Sequence, residues 1–578
     1  MDYTRRRWCC VHALGCLAAG AVASAQTFTE QGATVLGGLN VSARSGSFAD
    51  VDNDGDPDLL IATTSSSSRR LLRNNVVELG RSTFTDISGL LHPVGPNNDS
   101  WSAACGDYDG DGDIDVFIGQ TNAGGDSGDL LRNDGPAGFN DVSVLTGLDD
   151  PGFHQSVAWS DIDRDLDLDL LIAMEGPIEK HELYLHGPPG VFVPVGAAVG
   201  FQAPEGVKAY GMAIGDTDGD GDNDVYISTC RADNNIRNNF FENRLVETGS
   251  LSFVDIADSN GTQNFTNSYG AEFHDFDDDG DLDLFMVGAD AQPTHIFRND
   301  GGNQFVDVAT IIGHALLSNP GGDLNGGRAI DYDNDGDLDL FFHDRLAANG
   351  QNMARWLYRN DGGWEFVDVT AASGLSATNE GAFDSTWADF DLDGDQDLYA
   401  ANFLGWPERF FVSSASTNGN HWLYVRLKGT RHNRTAIGAR LYATIHAGTP
   451  QQRTLRRDAN SNAGTFNQSD VPVHFGLGSA GVIDTLVVVW PNGSTLTRHS
   501  VPADQYRTFL LPGDLDDDGD IDGSDAAGLP QCLAGPGFAP DPPLPLTGEQ
   551  CVDVFDVDGD ADVDLGDAAS FTSAFSGS

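Results

Sequence analysis

Seven times along this chain, five aspartates occupy alternate positions of a nine-residue stretch. The stretches are "DVDNDGDPD" (Asp50, Asp52, Asp54, Asp56, Asp58), "DYDGDGDID" (Asp107, Asp109, Asp111, Asp113, Asp115) and "DIDRDLDLD" (Asp161, Asp163, Asp165, Asp167, Asp169). They continue with "DTDGDGDND" (Asp216, Asp218, Asp220, Asp222, Asp224) and "DFDDDGDLD" (Asp275, Asp277, Asp279, Asp281, Asp283). The last two are "DYDNDGDLD" (Asp331, Asp333, Asp335, Asp337, Asp339) and "DFDLDGDQD" (Asp389, Asp391, Asp393, Asp395, Asp397). Successive stretches begin 57, 54, 55, 59, 56 and 58 residues apart. A period of roughly 50 residues marks a propeller, a solenoid or an array.

Each repeat has one internal order. A short apolar run such as "SVAWSD" enters the acidic loop, and a strand such as "DLLIA" or "DVYIS" leaves it. A third strand ends at a turn such as "LLRNDG", and a Phe-led segment such as "FVDVA" follows. Asn-Asp-Gly suits a tight hairpin, where positive φ is needed. Four short antiparallel strands make one propeller blade. Phe28 opens a segment like the fourth strand but precedes the first loop, whereas no Phe-led strand follows the seventh. The fold class predicted is mainly all-β: a closed seven-bladed propeller over 26–412 whose N-terminal strand completes the last blade, leaving no open edge.

Within a loop, carboxylates at positions 1, 3, 5 and 9, a glycine at 6 and the backbone carbonyl of position 7 match the first part of a calcium loop. Two carboxylates about 5 Å apart repel by roughly 3 kcal/mol at an effective dielectric near 20. A divalent cation turns that repulsion into cross-linking. In the third loop Leu166 replaces the glycine and Arg164 adds a positive charge, so this site is expected to be the weakest, or empty.

These repeats resemble the FG-GAP repeats of integrin α-subunit propellers and the VCBS repeats of bacterial secreted proteins. The resemblance implies Ca2+ that braces each blade and performs no chemistry.

After a linker, "SSASTNGN" (413–420), the acidic loops stop and basic residues enter. "NHWL", "AIGAR", "HFGLG" and "WPNG" over 421–511 resemble the ASPIC/UnbV domain, which follows such repeats in cartilage acidic proteins and bacterial relatives. Alternation in "WLYVRL" and "TLVVVW" predicts β-structure. Arg434, Arg440 and His474 are read as charges on a solvated face rather than an anion site.

In 512–578, "DLDDDGDIDGSD" (Asp514, Asp516, Asp518, Asp520, Asp522, Asp525) and "DVDGDADVDLGD" (Asp556, Asp558, Asp560, Asp562, Asp564, Asp567) add an acid at position 12, and a short helical stretch follows each. The pair resembles a dockerin, a small helical EF-hand pair, which implies two more calcium sites, nine in all, and a cohesin-like partner. Ala561 replaces the second glycine, and a long Pro-rich insert separates the copies.

Residues 1–25 read as an export signal: Arg5-Arg6-Arg7, an apolar run, then Ala23-Ser24-Ala25. Cleavage near Ala25 predicts a secreted or cell-surface protein, and no later run is long and apolar enough for a transmembrane span. Four cysteines then remain. Cys532 and Cys551 flank the Pro-rich insert and can pair in an oxidising compartment. Cys105 stands where other repeats hold a large apolar residue and reads as a buried hydrophobe.

Net charge is −57, yet the nine clusters hold 47 of the 88 acidic residues, and Phe alone occurs 32 times. That is a folded chain with localised negative sites, not a disordered acidic tail. Nucleic acid is excluded as a partner, since phosphate binding needs basic patches. No catalytic residue is assigned. "GDSG" (125–128) lacks the context of a triad. In "HELYLH" the histidines, His181 and His186, are five apart and face opposite sides of a strand. The expected function is a non-enzymatic extracellular adhesion scaffold for a protein or polysaccharide. A glycan-binding component of a polysaccharide-degrading assembly, attached through the dockerin-like module and using Trp356, Trp364 or Trp406, is the alternative, and a polysaccharide-active enzyme at the ring mouth the least favoured.

Overall fold

The computed structural model describes residues 28–571 apart from 65–67, 92–98, 121–126, 150–151, 176–180, 188–189, 203–207, 231–236, 290–291, 309–323, 345–354, 376–381, 403–405, 462–464, 536–538, 541, 543–545, 557–561 and 569–570. The export signal, the first two residues of "GDSG", Asp558, Asp560 and Ala561 therefore lie outside the described residues.

Seven four-stranded antiparallel sheets follow one another. Blade 1 orders Ala43–Ala49, Asp58–Thr63, Arg70–Asn74 and Phe84–Asp86 from the axis outward. Blades 2 to 6 repeat this from inner strands Ser100–Gly106, His154–Ser160, Ala209–Gly215, Ser268–His274 and Leu324–Ile330. Blade 7 holds Ala382–Ala388, Asp397–Asn402 and Arg409–Val412. Its fourth strand is Thr29–Glu30, with Thr29 opposite Val412 and Glu30 opposite Phe411. The N-terminal strand thus completes the last blade, as its phase predicts. The inner strand of blade 1 packs on that of blade 7 as it does on that of blade 2, so the ring is closed.

Every inner strand shifts register once near its start, between Ala43 and Ser45 in blade 1 and at the matching place in the other six. Such bulges increase twist, which lets flat hairpins splay around an axis. The core is divided among the seams: one buried apolar cluster fills each of the seven gaps between neighbouring blades. At the seam of blades 7 and 1, Phe48, Phe390, Tyr399 and Phe410 interlock. Gly46 is required there, because a Cβ would meet the Tyr399 ring at 2.6 Å.

Residues 421–509 form a sandwich. One sheet orders Val473–Gly478, His421–Leu427 and Gln505–Phe509; the other orders Arg453–Asp458, Arg440–Ile445, Val482–Val489 and Thr495–Pro502. The predicted strands are present. Between Asp458 and Val473 the chain enters the centre of the ring. Phe466 packs on Trp101, Tyr210 and Phe383. The Gln468 carbonyl accepts from Phe48 N and Thr386 Oγ1, and its side-chain oxygen accepts from Cys105 N. Arg328, almost fully buried, donates to Glu272 and Asn467. Together with Ser461 on Trp159 and Thr465 against Gly270, this segment touches the inner strands of all seven blades.

Residues 413–420 are a seated segment rather than a free linker. Ser413 N donates to Asp397, and Asn418 and Asn420 donate to the Asp333 carbonyl. Beyond the sandwich, helices Gly523–Cys532 and Gly548–Phe555 are joined by a Cys532–Cys551 disulfide with Cα atoms 5.3 Å apart. The second helix lies inside the insert, where proline content hid it. Cys105 and Cys230 are buried thiols outside the disulfide. No helix among the described residues is long and apolar enough to cross a membrane.

Candidate metal centres

Each aspartate loop joins the first and second strands of its blade, so all seven lie on one face of the ring. Backbone shape is set by two left-handed residues. Position 4 has φ between 59° and 78° in every loop, and position 6 between 79° and 101°. Glycine holds position 6 in six loops, while Leu166 adopts φ 79° in the third at a steric cost of roughly 1 kcal/mol.

The five aspartates of a loop have different partners. Position 1 closes the turn: Asp107 accepts from Gly110 N and Gly112 N, and Asp331 from Asp335 N and Gly336 N. Position 5 accepts from the N–H of position 7, as Asp111 does from Asp113. Position 7 turns its side chain outward. Asp56 and Asp222 accept from Val77 N and Val246 N at short helix starts, which leaves the carbonyl for the loop interior. Position 9 is spanned by the fold itself. Asp58, Asp115, Asp169, Asp224, Asp283, Asp339 and Asp397 each accept one N–H from loop position 2 and one from the end of the third strand or, in blade 7, from the residue just past it.

After these bonds are made, every loop retains a buried carboxylate oxygen with no hydrogen-bond partner among the described residues. These include Asp54 Oδ2, Asp109 Oδ1, Asp163 Oδ1, Asp220 Oδ2, Asp275 Oδ1, Asp333 Oδ1 and Asp391 Oδ1. In the first loop Asp50, Asp52 and Asp54 bring one oxygen each within 4.8 Å of one another, as do Asp107, Asp109 and Asp111, Asp161, Asp163 and Asp169, and Asp216, Asp218 and Asp220. Buried acceptors that lack donors fit a hard, oxygen-seeking cation. The third loop keeps this cradle despite Leu166. Burial, followed by repulsion between neighbouring aspartates, pushes these carboxyls up: Asp50 and Asp218 to about 6, Asp107, Asp161 and Asp275 to about 7, and Asp335 to about 9.

A second role emerged that was read from sequence only as turn chemistry. The Asn ending the third strand is buried, and in four blades it spans to the neighbouring one. Asn133 Nδ2 donates to the Val51 carbonyl in the loop of blade 1, Asn243 to Ile162, Asn299 to Thr217, and Asn74 to Phe390 across the closing seam. Its recurrence at one place in five repeats was the available signal.

The sandwich lies on the loop face and touches every loop. Arg426 donates to the Gly55 carbonyl, Arg431 crowds Gly110, and Thr430 donates to the Leu166 carbonyl. Arg440 pairs with Asp216, Arg453 bridges Asp278 and Asp337, and Tyr506 donates to Asp389. The solvated-face reading of Arg434, Arg440 and His474 is therefore overturned. Arg440 meets a loop carboxylate, Arg434 pairs with Asp514 and Asp517, and His474 is buried against Tyr424. An acidic face can order arginines 200 residues away, which local patterning does not reveal.

In the C-terminal segment Asp514 accepts from Asp518 N and Gly519 N, and Asp518 from Asp520 N. Asp525 accepts from Leu515, Asp516 and Asp522 N–H groups, so position 12 closes the loop. Asp522 caps the first helix. In the second copy, Asp567 accepts from Asp564 N, and Asp556 lies 3.7 Å from Arg498.

The profile of the ASPIC and UnbV family matches residues 429–513, and that of the FG-GAP-like repeat matches 50–118, 107–172 and 275–342. Cartilage acidic protein 1 of Xenopus tropicalis is 26% identical over 496 residues, covering 80% of this chain and 72% of that protein. Its Homo sapiens counterpart is 25% identical over 329 residues, covering 54% and 46%. Among solved structures, BBS1N in complex with ARL6DN aligns with TM-score 0.40 at 12% identity, covering 67% of this chain and 97% of that one. The exotype rhamnogalacturonan lyase YesX aligns with TM-score 0.37 at 12% identity, covering 64% and 72%. Repeat, loop geometry and following sandwich agree with the sequence profiles: this chain carries FG-GAP-like repeats and an ASPIC/UnbV domain.

Proposed function

We propose that the chain is an exported, calcium-braced binding scaffold, in which Ca2+ in the loops is structural and a protein or polysaccharide is bound elsewhere. The observation that carries this reading is the buried, donor-less carboxylate oxygen left in every loop. Calcium there would neutralise repulsion and lock the first two strands of each blade. The loop face and the ring centre are occupied by the chain's own sandwich, which argues against a catalytic mouth on that side. Binding then falls to the opposite face or the rim.

Trp406, 40% exposed, favours a glycan as ligand, whereas Trp356 and Trp364 pack against the core. The test is incubation of the calcium-loaded protein with a polysaccharide panel, scoring retention and released sugar ends together. Retention without release supports the scaffold. Released ends would refute it in favour of an enzyme.

A further inference from the structure

The third loop differs from its six counterparts where blade 3 ends its third strand. Five blades place Asn there, namely Asn74, Asn133, Asn243, Asn299 and Asn360; blade 3 places His186. The backbone is unchanged, since His186 N donates to Asp169 Oδ1 at 2.8 Å as the asparagines do to their own aspartates. The ring is new. Its side chain is 5% exposed, and neither nitrogen has a hydrogen-bond partner among the described residues. Nδ1 faces Asp167 Oδ2 at 3.6 Å, too long for a hydrogen bond. Two donors each about 2.1 Å from a tetrahedral ion stand roughly 3.4 Å apart.

Three carboxylate oxygens of this loop, on Asp161, Asp163 and Asp167, also lack donors, more than in any other loop. A second histidine arrives from the facing domain. His432 forms a backbone bridge with Asp167, and its ring centre lies 6.4 Å from that of His186. His181, the other histidine of "HELYLH", points away into Phe201 and Phe241.

We infer that the outer side of the third loop takes a borderline transition-metal ion of the Zn2+ type, held by His186 and Asp167 with His432 as a third donor. Imidazole suits zinc, copper and nickel, whereas calcium selects oxygen alone. Such an ion would tie blade 3 to the ASPIC/UnbV domain. This inference rests on reading the loops as metal cradles, but its ligand histidines are absent from the other six.

The test uses the full chain in saturating Ca2+, with Co2+ as the spectroscopic probe. The expected result is one Co2+ per chain with visible ligand-field absorption, resistant to excess Ca2+ and displaced by stoichiometric Zn2+. His186→Asn installs the residue that five other blades carry, so the fold should be kept, and should weaken Co2+ binding by about 10- to 100-fold. His432→Ala should weaken it as well. Displacement of Co2+ by Ca2+, or equal Co2+ affinity in His186→Asn, would overturn the inference; unchanged binding in His432→Ala would overturn the link between domains. Calcium content of the same samples tests the other loops separately, so loss of one reading does not remove the other.

Discussion

Replacing Asn74 by alanine should weaken the ring at its closing seam. Asn74 is fully buried. Its Nδ2 donates to the Phe390 carbonyl of blade 7 at 2.7 Å and to the Pro57 carbonyl at 3.2 Å, and its Oδ1 accepts from Asn75 N at 2.8 Å. Three bonds are lost, and their partners have no water to turn to. At about 1 kcal/mol per bond, the expected loss is about 3 kcal/mol. Asn133→Ala removes three comparable bonds, one of them to the Val51 carbonyl of blade 1 and two within blade 2, and should cost about the same. Asn140, on the surface, should cost under about 0.5 kcal/mol when truncated. The assay is denaturant unfolding in saturating Ca2+, comparing midpoints at constant slope. If Asn74→Ala unfolded with the midpoint of the Asn140→Ala control, the seam would be held by the apolar cluster alone and the reasoning would fail.

Chelation of Ca2+ should lower the melting temperature sharply, since each site held at a hundredfold excess over its Kd contributes about 2.7 kcal/mol; a melt indifferent to chelator and to added Ca2+ would sink structural calcium. Phe466→Ala empties the aromatic nest in the ring centre and should cost about 3–5 kcal/mol in the same unfolding assay. Glu408, buried at the closing seam and bonded by the Tyr399 hydroxyl, is pushed up to about 8 chiefly by burial. Its protonated form therefore favours the fold. The stabilising contribution is complete below the ordinary glutamate range and is lost as pH rises to about 8. Glu408→Gln should flatten that decline, gaining on the parent between pH 5 and pH 8; parallel pH curves for the two proteins would contradict it.

What the sequence disclosed was whatever repeats. Seven recurrences of one spacing carry blade number, strand order and the place of the acidic loops, and the missing fourth strand after Asp397 pointed to closure by Thr29–Glu30. What it hid is long-range and occurs once. Arg440 lies 224 residues from Asp216, and Gln468 363 from Cys105. No local period distinguishes an arginine that meets water from one that meets a distant loop. The Asn residues ending the third strands did recur, but their turn propensity gave a sufficient reason for them and masked the span to the next blade. His186 was visible only as part of a motif that did not fit.

The two-residue strand at the start of the ring has a consequence in time. Thr29–Glu30 must wait for Arg409–Val412, which emerge roughly 380 residues later, about 20–80 s at ordinary rates of synthesis. Through that interval six blades can form while the seventh has no outer strand and the first has no neighbour on one side. The segment that fills the ring centre is made later still. Maturation of this protein is therefore gated by the last third of its chain, and truncations there should be felt at the N-terminus, as protease sensitivity near Phe28.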